Sequence, residues 1–188
     1  MPERIAFVLL AAVLIIAGII DWRHGVVYNK LTYPAIVVGL LYWIFSGYVK
    51  GGSYGALDGL VEASLALAVG LVPFAIIFAC GGLGGGDVKL MGAVGALSAS
   101  FECVLTTACY AFLCAVMIAV FIMFKKRIVI RTLFRIITAI FFATSKVKSA
   151  PFGDSPNIPF SVAIAAGGMI AAADHLLNLS LPWSAWGP

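Results

Sequence analysis

The stretch VLTTACYAFLCAVMIAVFIMF, residues 104–124, decides the fold class, because it carries no charged side chain and ends abruptly at Lys125-Lys126-Arg127. The hydrocarbon core of a bilayer is about 30 Å thick, and a helix that crosses it needs roughly 20 mostly apolar residues. The stretch meets this requirement, and the basic residues mark the return to water. It predicts a transmembrane helix.

The rest of the chain has the same character. Of its 188 residues, 63% are hydrophobic and 11% charged, and the mean hydropathy is +1.10, which lies outside the usual composition of soluble domains. Windows of spanning length predict six helices, at residues 5–20, 31–48, 60–80, 88–100, 104–124 and 158–179. We therefore expect an all-α polytopic membrane protein that forms a single domain over residues 1–188, with the lipid bilayer as its solvent.

A signal peptide is the competing interpretation of the first span, because Arg4 precedes an apolar stretch of suitable length. A small-residue cleavage site is missing, however, and Asp21-Trp22-Arg23 follows at once. We expect the segment to be retained.

Basic residues predict the orientation, since short loops rich in Lys and Arg stay in the cytoplasm. The basic segment that follows residue 124 places the end of the fifth span inside, and alternation then makes the loops at 21–30 and 81–87 cytoplasmic and both termini external. The basic residues that fall inside are Arg23, Lys30, Lys89, Lys125, Lys126, Arg127, Arg131, Arg135, Lys146 and Lys148. The sequence thus predicts a multi-pass protein of the cell's inner (cytoplasmic) membrane.

Residues 126–143 alternate apolar and basic side chains near helical spacing. This pattern predicts an amphipathic helix that lies in the headgroup layer on the cytoplasmic side. Such a helix could be a topology anchor, or it could guide a substrate, and the sequence leaves both open.

Asp21, Asp87 and Asp154 are the acids that this topology places on the cytoplasmic side. Asp21 ends the first predicted span and Asp87 begins the fourth, so the two should lie at similar depth. An ionisable group near membrane depth costs at least ~2.5 kcal/mol and is a functional candidate by default. Two carboxyl groups in contact share a single proton, an arrangement that hydrolyses peptide bonds.

Each acid also has a simpler interpretation. Asp21 could be a solvated carboxylate beyond a helix end, loosely paired with Arg23, and Asp87 could be the N-cap of an apolar helix. Capping and catalysis are compatible, so this interpretation does not exclude the catalytic one for Asp87.

Five glycines occur in the six residues before Asp87, at positions 81, 82, 84, 85 and 86. Glycine permits positive φ and the close approach of another chain. Gly84, Gly85 and Gly86 are therefore the predicted substrate-binding edge, beside which an extended strand could lie. A phosphate-binding loop is excluded, because Lys89 lacks the Gly before it and the Ser or Thr after it that the Walker pattern requires.

These residues resemble a known family. Gly84-Gly85-Gly86-Asp87 followed by Val88-Lys89-Leu90-Met91 is similar to the G-x-G-D signature of type IV prepilin peptidases, which are GxGD intramembrane aspartic proteases. Asp21-Trp22-Arg23 followed by Asn29-Lys30-Leu31-Thr32 resembles their first-aspartate segment, and Ile158-Pro159-Phe160 the opening of their last helix. There are two departures: Tyr28 stands where proline often precedes the Asn, and Ser161 where glycine commonly follows the Pro-aromatic pair.

The resemblance implies an aspartic-type endopeptidase with Asp21 and Asp87 as catalytic residues, which removes the leader from membrane-inserted prepilins for pilus assembly or secretion. Larger family members carry a cysteine-rich insertion between the first two spans and also N-methylate the product. The short connection here points to the compact, peptidase-only branch of Flp-type (tight-adherence) systems. No cofactor, metal or nucleic-acid partner is expected.

Two other functions stay open. A small cation- or proton-coupled transporter subunit could use the same aspartates, and a non-catalytic pilus assembly factor could keep the fold without turnover. The remaining conspicuous residues have modest interpretations. Cys80, Cys103, Cys109 and Cys114 lack paired metal-ligand spacing and are expected to pack as apolar residues, while His24 and Asp154 are expected to be solvated.

Overall fold

The computed structural model describes residues 2–125 and 160–177, and there the regular structure consists of helices without a strand. The helices are α1 (Pro2–His24), α2 (Asn29–Ala79), α3 (Gly85–Ser98), α4 (Phe101–Lys125) and α5 (Phe160–Leu177). The predicted all-α class is confirmed. The predicted amphipathic segment 126–143 and Asp154 lie outside the described residues.

The chain divides into two compact units, Met1–Cys114 with Pro159–Pro188, and Ala115–Ile158. Of the second unit the described residues are 115–125, which form the C-terminal part of α4. The packing described below belongs to the first unit.

Helix α2 is a hairpin of two arms rather than one straight rod. Gly51 and Gly52 interrupt its helical dihedral angles, and Gly52 has a φ of +62°, a conformation that glycine adopts without steric cost. The arms then meet backbone to backbone, since a Cβ on Gly47 would lie 2.0 Å from the carbonyl oxygen of Gly55. The predicted spans 31–48 and 60–80 are these arms, and the chain between them is helical except at the two glycines.

Helix α3 is the buried centre of the unit. Its 14 residues span about 21 Å at 1.5 Å per residue, less than the thickness of a bilayer. Its side chains from Leu90 to Ser98 are all buried. It packs closely on both arms of α2, because a Cβ on Gly39 would lie 2.7 Å from the Ala96 backbone and one on Gly95 would lie 2.2 Å from the Ala66 oxygen. Small residues at such contacts let membrane helices pack through their backbones.

Substitution of Gly95 by alanine is expected to destabilise the protein by about 1–3 kcal/mol, because the new methyl group meets backbone atoms that can yield only if α2 and α3 separate. The measurement is the thermal unfolding midpoint in detergent. The matched control is Gly51→Ala, since a Cβ there has open space around it and the φ is −143°. Equal midpoints for the two variants would contradict close packing of α3 on α2.

Among the described residues, three helices are long and apolar enough to cross a membrane, at Arg4–His24, Asn29–Ala79 and Phe101–Lys125, and Phe160–His175 is a shorter apolar helix. Large apolar side chains such as Ile5 and Phe45 are exposed on the helix surfaces, as expected where lipid replaces water. The chain is therefore an integral membrane protein. The predicted number of six spans is not confirmed.

Candidate active site

Asp21 lies one turn before the end of α1 and is only 7% exposed, whereas the neighbouring Trp22 is 72% exposed. The helix ends because Gly25 adopts a left-handed φ of +66°, and its amide donates to the Asp21 carbonyl oxygen at 2.8 Å. This is the usual glycine termination of a helix. It keeps the Asp21 side chain on the inward face while the chain turns away.

Asp87 lies in the first turn of α3 and is 9% exposed. The N-cap of α3 is Gly84, so the interpretation of Asp87 as the N-cap is wrong by three residues. The Asp87 carboxylate nevertheless turns back and accepts a hydrogen bond from the Gly84 backbone. A Cβ on Gly84 would lie 3.2 Å from Asp87 Oδ2. Glycine at position 84 therefore lets the acid fold back over the start of its own helix.

Ser161 joins the two acids. Its hydroxyl donates a hydrogen bond to Asp87 Oδ1, and the same side chain is hydrogen-bonded to the Asp21 carboxyl group. Asp21 also accepts hydrogen bonds from the backbone amides of Ser161 and Val162, in the first turn of α5. Three helices that are distant in sequence thus meet at one polar point, where Asp21 Oδ2 is buried without a partner.

A cavity of about 240 Å³ opens beside this point. Its lining residues are Asp21, Gly25, Val26, Val27, Gly84, Gly85, Gly86, Asp87 and Ser161. All five residues that the sequence singled out as catalytic or substrate-binding therefore line a single cavity. The cavity is open and large enough to hold several water molecules beside the two acids, an arrangement that can support acid-base hydrolysis.

The three glycines before Asp87 have different surroundings. A Cβ on Gly86 would lie 2.9 Å from the Val27 Cβ, whereas one on Gly85 would make an ordinary 3.5 Å contact with the Phe78 ring. Gly86 is therefore required by the chain's own packing, because it brings the start of α3 against the connection between α1 and α2. The sequence had attributed all three glycines to an approaching substrate.

Lys89 connects α3 to the start of α2. Its Nζ donates to Asn29 Oδ1 at 2.7 Å and lies 5.0 Å from the centre of the Tyr33 ring. The contacts join the two motif segments of the sequence, one beginning at Asn29 and the other at Asp87. They tie α3 to the α2 end of the connection that carries Val26 and Val27.

A double-mutant cycle measures this connection. Asn29→Ala and Lys89→Met are each expected to lower the free energy of unfolding, with a coupling of about 0.5–1.5 kcal/mol because they remove the same hydrogen bond. Unfolding is followed during titration with a denaturing detergent. The control is the cycle of Asn29→Ala with Lys50→Met. Lys50 lies at the other end of the first arm, so the effects of these two changes are expected to add. Additivity in both pairs would show that the Lys89 contact contributes nothing.

His24 and the four cysteines, which the sequence analysis also considered, are not among the residues that line the cavity. His24 stands 6.3 Å from the Tyr28 ring, centre to centre, and the four cysteines are free. In the described part of the chain no group of three or more His, Cys, Asp or Glu residues could hold a metal ion. Ser161 is the residue that sequence reasoning missed. The sequence had marked Ser161 only as a departure from the glycine common at this position, and its hydroxyl group at the start of a largely apolar helix was the other signal.

An integral membrane protein made of helices, with two buried carboxyl groups at one cavity, is the class that the fold and site define. Within that class, the family model for the type IV leader peptidase family matches residues 8–142. The chain therefore belongs to this family, and the predicted family is confirmed. It is a leader peptidase by class, whose substrates are membrane-inserted prepilins.

The matched region contains both aspartates and the glycine run, and it ends before α5. Comparison with curated proteins and with solved structures gave no match.

Proposed function

We propose that this chain is an intramembrane aspartic endopeptidase with Asp21 and Asp87 as its catalytic dyad. Its substrates are Flp-type precursors, cleaved at the cytoplasmic face of the inner membrane. The observation that carries the proposal is that two acids from separate helices share one hydroxyl partner and one cavity. A purely structural role for either acid gives no reason for the other to be there, since burying two carboxyl groups together is costly.

The reaction follows from a dyad that holds one proton. The ionised aspartate takes a proton from a water molecule whose oxygen attacks the scissile carbonyl carbon, while the protonated aspartate donates a proton to the carbonyl oxygen. The tetrahedral intermediate then collapses. The C–N bond breaks as the nitrogen takes a proton from the acid that had accepted one from water. The other acid recovers its proton from a hydroxyl group of the intermediate, which becomes the carboxyl group of the leader. No metal ion is needed for these steps.

The helical form of the substrate bears on how it binds. In an α-helix the carbonyl oxygen of each peptide bond accepts a hydrogen bond and the side chains surround the backbone. A precursor helix therefore has to unwind around the scissile bond before the two acids on the cavity wall can reach it. Gly84 and Tyr28 both have extended dihedral angles, and the absence of a side chain at Gly84 leaves room for an extended strand beside Asp87.

The connection between α1 and α2 consists of residues 25–28. It is too short to hold the cysteine-rich insertion that accompanies N-methylation in the larger relatives. The proposed activity is therefore cleavage alone, and the new N-terminus is left unmethylated.

The test is cleavage by the purified protein in lipid vesicles, with a Flp-type precursor inserted in the same bilayer. Mass spectrometry of the product is expected to give one cut before the hydrophobic segment, without the added mass of a methyl group. Vesicles loaded with a pH-sensitive dye provide the comparison with a transporter. Proton flux without cleavage would favour the transporter, and neither activity would favour an assembly factor.

A further inference from the structure

The hydroxyl group of Ser161 occupies a position that the proposed reaction does not itself require. Ser161 is 1% exposed and lies in the first turn of α5. Its oxygen contacts a carboxyl group from α1 and another from α3. A buried hydroxyl that makes both contacts at once does more than satisfy its own hydrogen bonding, because it also fixes the two acids relative to each other.

The number of protons at this point is set by the chemistry of a hydroxyl group, which has one proton to donate and two lone pairs to accept. Ser161 can donate to only one of the two acids. Its bond to the other acid then requires that acid to donate its own proton to Oγ. If both acids were ionised, one of the two carboxylates would face a lone pair of Ser161 Oγ and could not form a hydrogen bond with it. Ser161 can therefore bond both acids only when at least one of them is protonated.

A single proton gives the strongest arrangement. The hydroxyl then donates to a charged carboxylate, and such charge-assisted bonds are about twice as strong as neutral ones. If both acids were protonated, the acceptor would be neutral and the bond weaker. The state favoured by Ser161 is therefore the state with one proton, which is also the state that the cleavage reaction uses.

From this geometry, and resting on the proposed function of Asp21 and Asp87, we infer that Ser161 is a positioning residue that holds the dyad in its singly protonated form and passes the proton between the two acids. One acid gives its proton to Oγ as Oγ gives its own to the other carboxylate. Two O–H bonds break and two form, and no net charge or proton is gained. Attack by water exchanges the protonation states of the two acids and collapse of the intermediate restores them, and Oγ bonds both acids in either state.

Few other groups can supply this proton. In the described lining of the cavity the titratable side chains are Asp21 on α1 and Asp87 on α3. From α2, Asn29 faces the start of α3 and holds the Lys89 amino group at 2.7 Å. His24, at the end of α1, instead lies near Tyr28, with the two rings tilted and their centres 6.3 Å apart.

The test compares the pH dependence of cleavage for wild type and Ser161→Ala, with Ser98→Ala as the matched control. Ser98 is also buried, at 3% exposure, and its hydroxyl donates to the Gly95 oxygen, away from the dyad. Ser161→Ala is expected to lower the maximal rate roughly ten- to hundredfold and to narrow the active pH range from both sides. Ser161→Thr, which keeps a hydroxyl, is expected to retain the range, and Ser98→Ala to leave the profile unchanged.

A cleavage profile of Ser161→Ala with the wild-type width would overturn the role of Ser161 and leave the dyad standing. The role of Ser161 would also be overturned if Ser161→Ala lowered the cleavage rate equally at every pH and lowered the unfolding midpoint, because a purely structural residue would behave in this way.

Infrared spectroscopy gives a second readout that needs no substrate. The carboxylic acid C=O band of the dyad, identified by subtracting spectra of Asp21→Asn and Asp87→Asn, is expected to persist over a wider pH range in wild type than in Ser161→Ala. Equal ranges would overturn the inference. Failure of wild type to cleave any precursor would instead count against the proposed function, while the infrared comparison still decides the role of Ser161.

Discussion

Replacing Asp87 with asparagine is expected to abolish leader cleavage, with a loss on the order of 10³-fold or more, and replacing Asp21 is expected to have the same effect. Asparagine keeps the size of the side chain but can neither hold the shared proton nor take one from water. Because the two acids act as one unit, the double variant is expected to be no slower than either single variant. The measurement is the initial rate of precursor cleavage, followed by the change in electrophoretic mobility.

The matched control for this experiment is Asp58→Asn. Asp58 is an exposed acid on the second arm of α2, so the same chemical change there should leave the rate unaltered. All variants are compared at equal amounts of membrane-inserted protein. A single Asp21 or Asp87 variant that cleaves at the wild-type rate would disprove the dyad, since neither acid can perform both halves of the reaction alone.

Substitution of Gly86 by alanine is expected to reduce cleavage by more than tenfold, while Gly85→Ala retains most of the activity. The new methyl group at position 86 would lie 2.9 Å from the Val27 Cβ, which is closer than carbon atoms can approach, whereas at position 85 the nearest atom is 3.5 Å away. The start of α3 must then move, and it carries Asp87 with it. A displacement of about 1 Å in a catalytic group can cost on the order of 10²-fold in rate.

A second-site change separates this local effect from unfolding. Val27→Gly removes the atom that Gly86→Ala would strike, so the double variant is expected to recover part of the lost activity. Cleavage rates and unfolding midpoints are measured on the same preparations. If Gly85→Ala and Gly86→Ala lost activity equally, the glycines would act through substrate contact along the whole run, as the sequence alone had suggested.

Much of the fold could be predicted from the sequence because lipid restricts the secondary structures that a chain can adopt. A backbone in lipid must satisfy its hydrogen bonds internally, so each long apolar run predicts a helix. This held for α1, α4 and α5 and for the arms of α2. The prediction was less accurate at helix ends. Helix α1 continues four residues beyond its predicted span 5–20, and α3 begins three residues before its predicted span 88–100.

The central position of α3 could not be predicted in the same way. Its sequence is apolar like that of its neighbours, and only the short length of the predicted span, residues 88–100, distinguishes it from them. Its burial depends on glycines of α2 and α3 that face each other at distances set by the tertiary packing. Glycines that allow a helix contact look the same in the sequence as glycines that form a loop.

The sequence by itself determined that this is a helical membrane protein of the leader peptidase family, and it singled out Asp21 and Asp87, because apolar length and a local glycine-aspartate motif are both properties of short segments. Only the tertiary structure decided which groups meet. It placed Ser161 between the two acids and Val27 against Gly86. These contacts join segments far apart in the chain, and their partners depend on how the helices pack against one another rather than on any one helix.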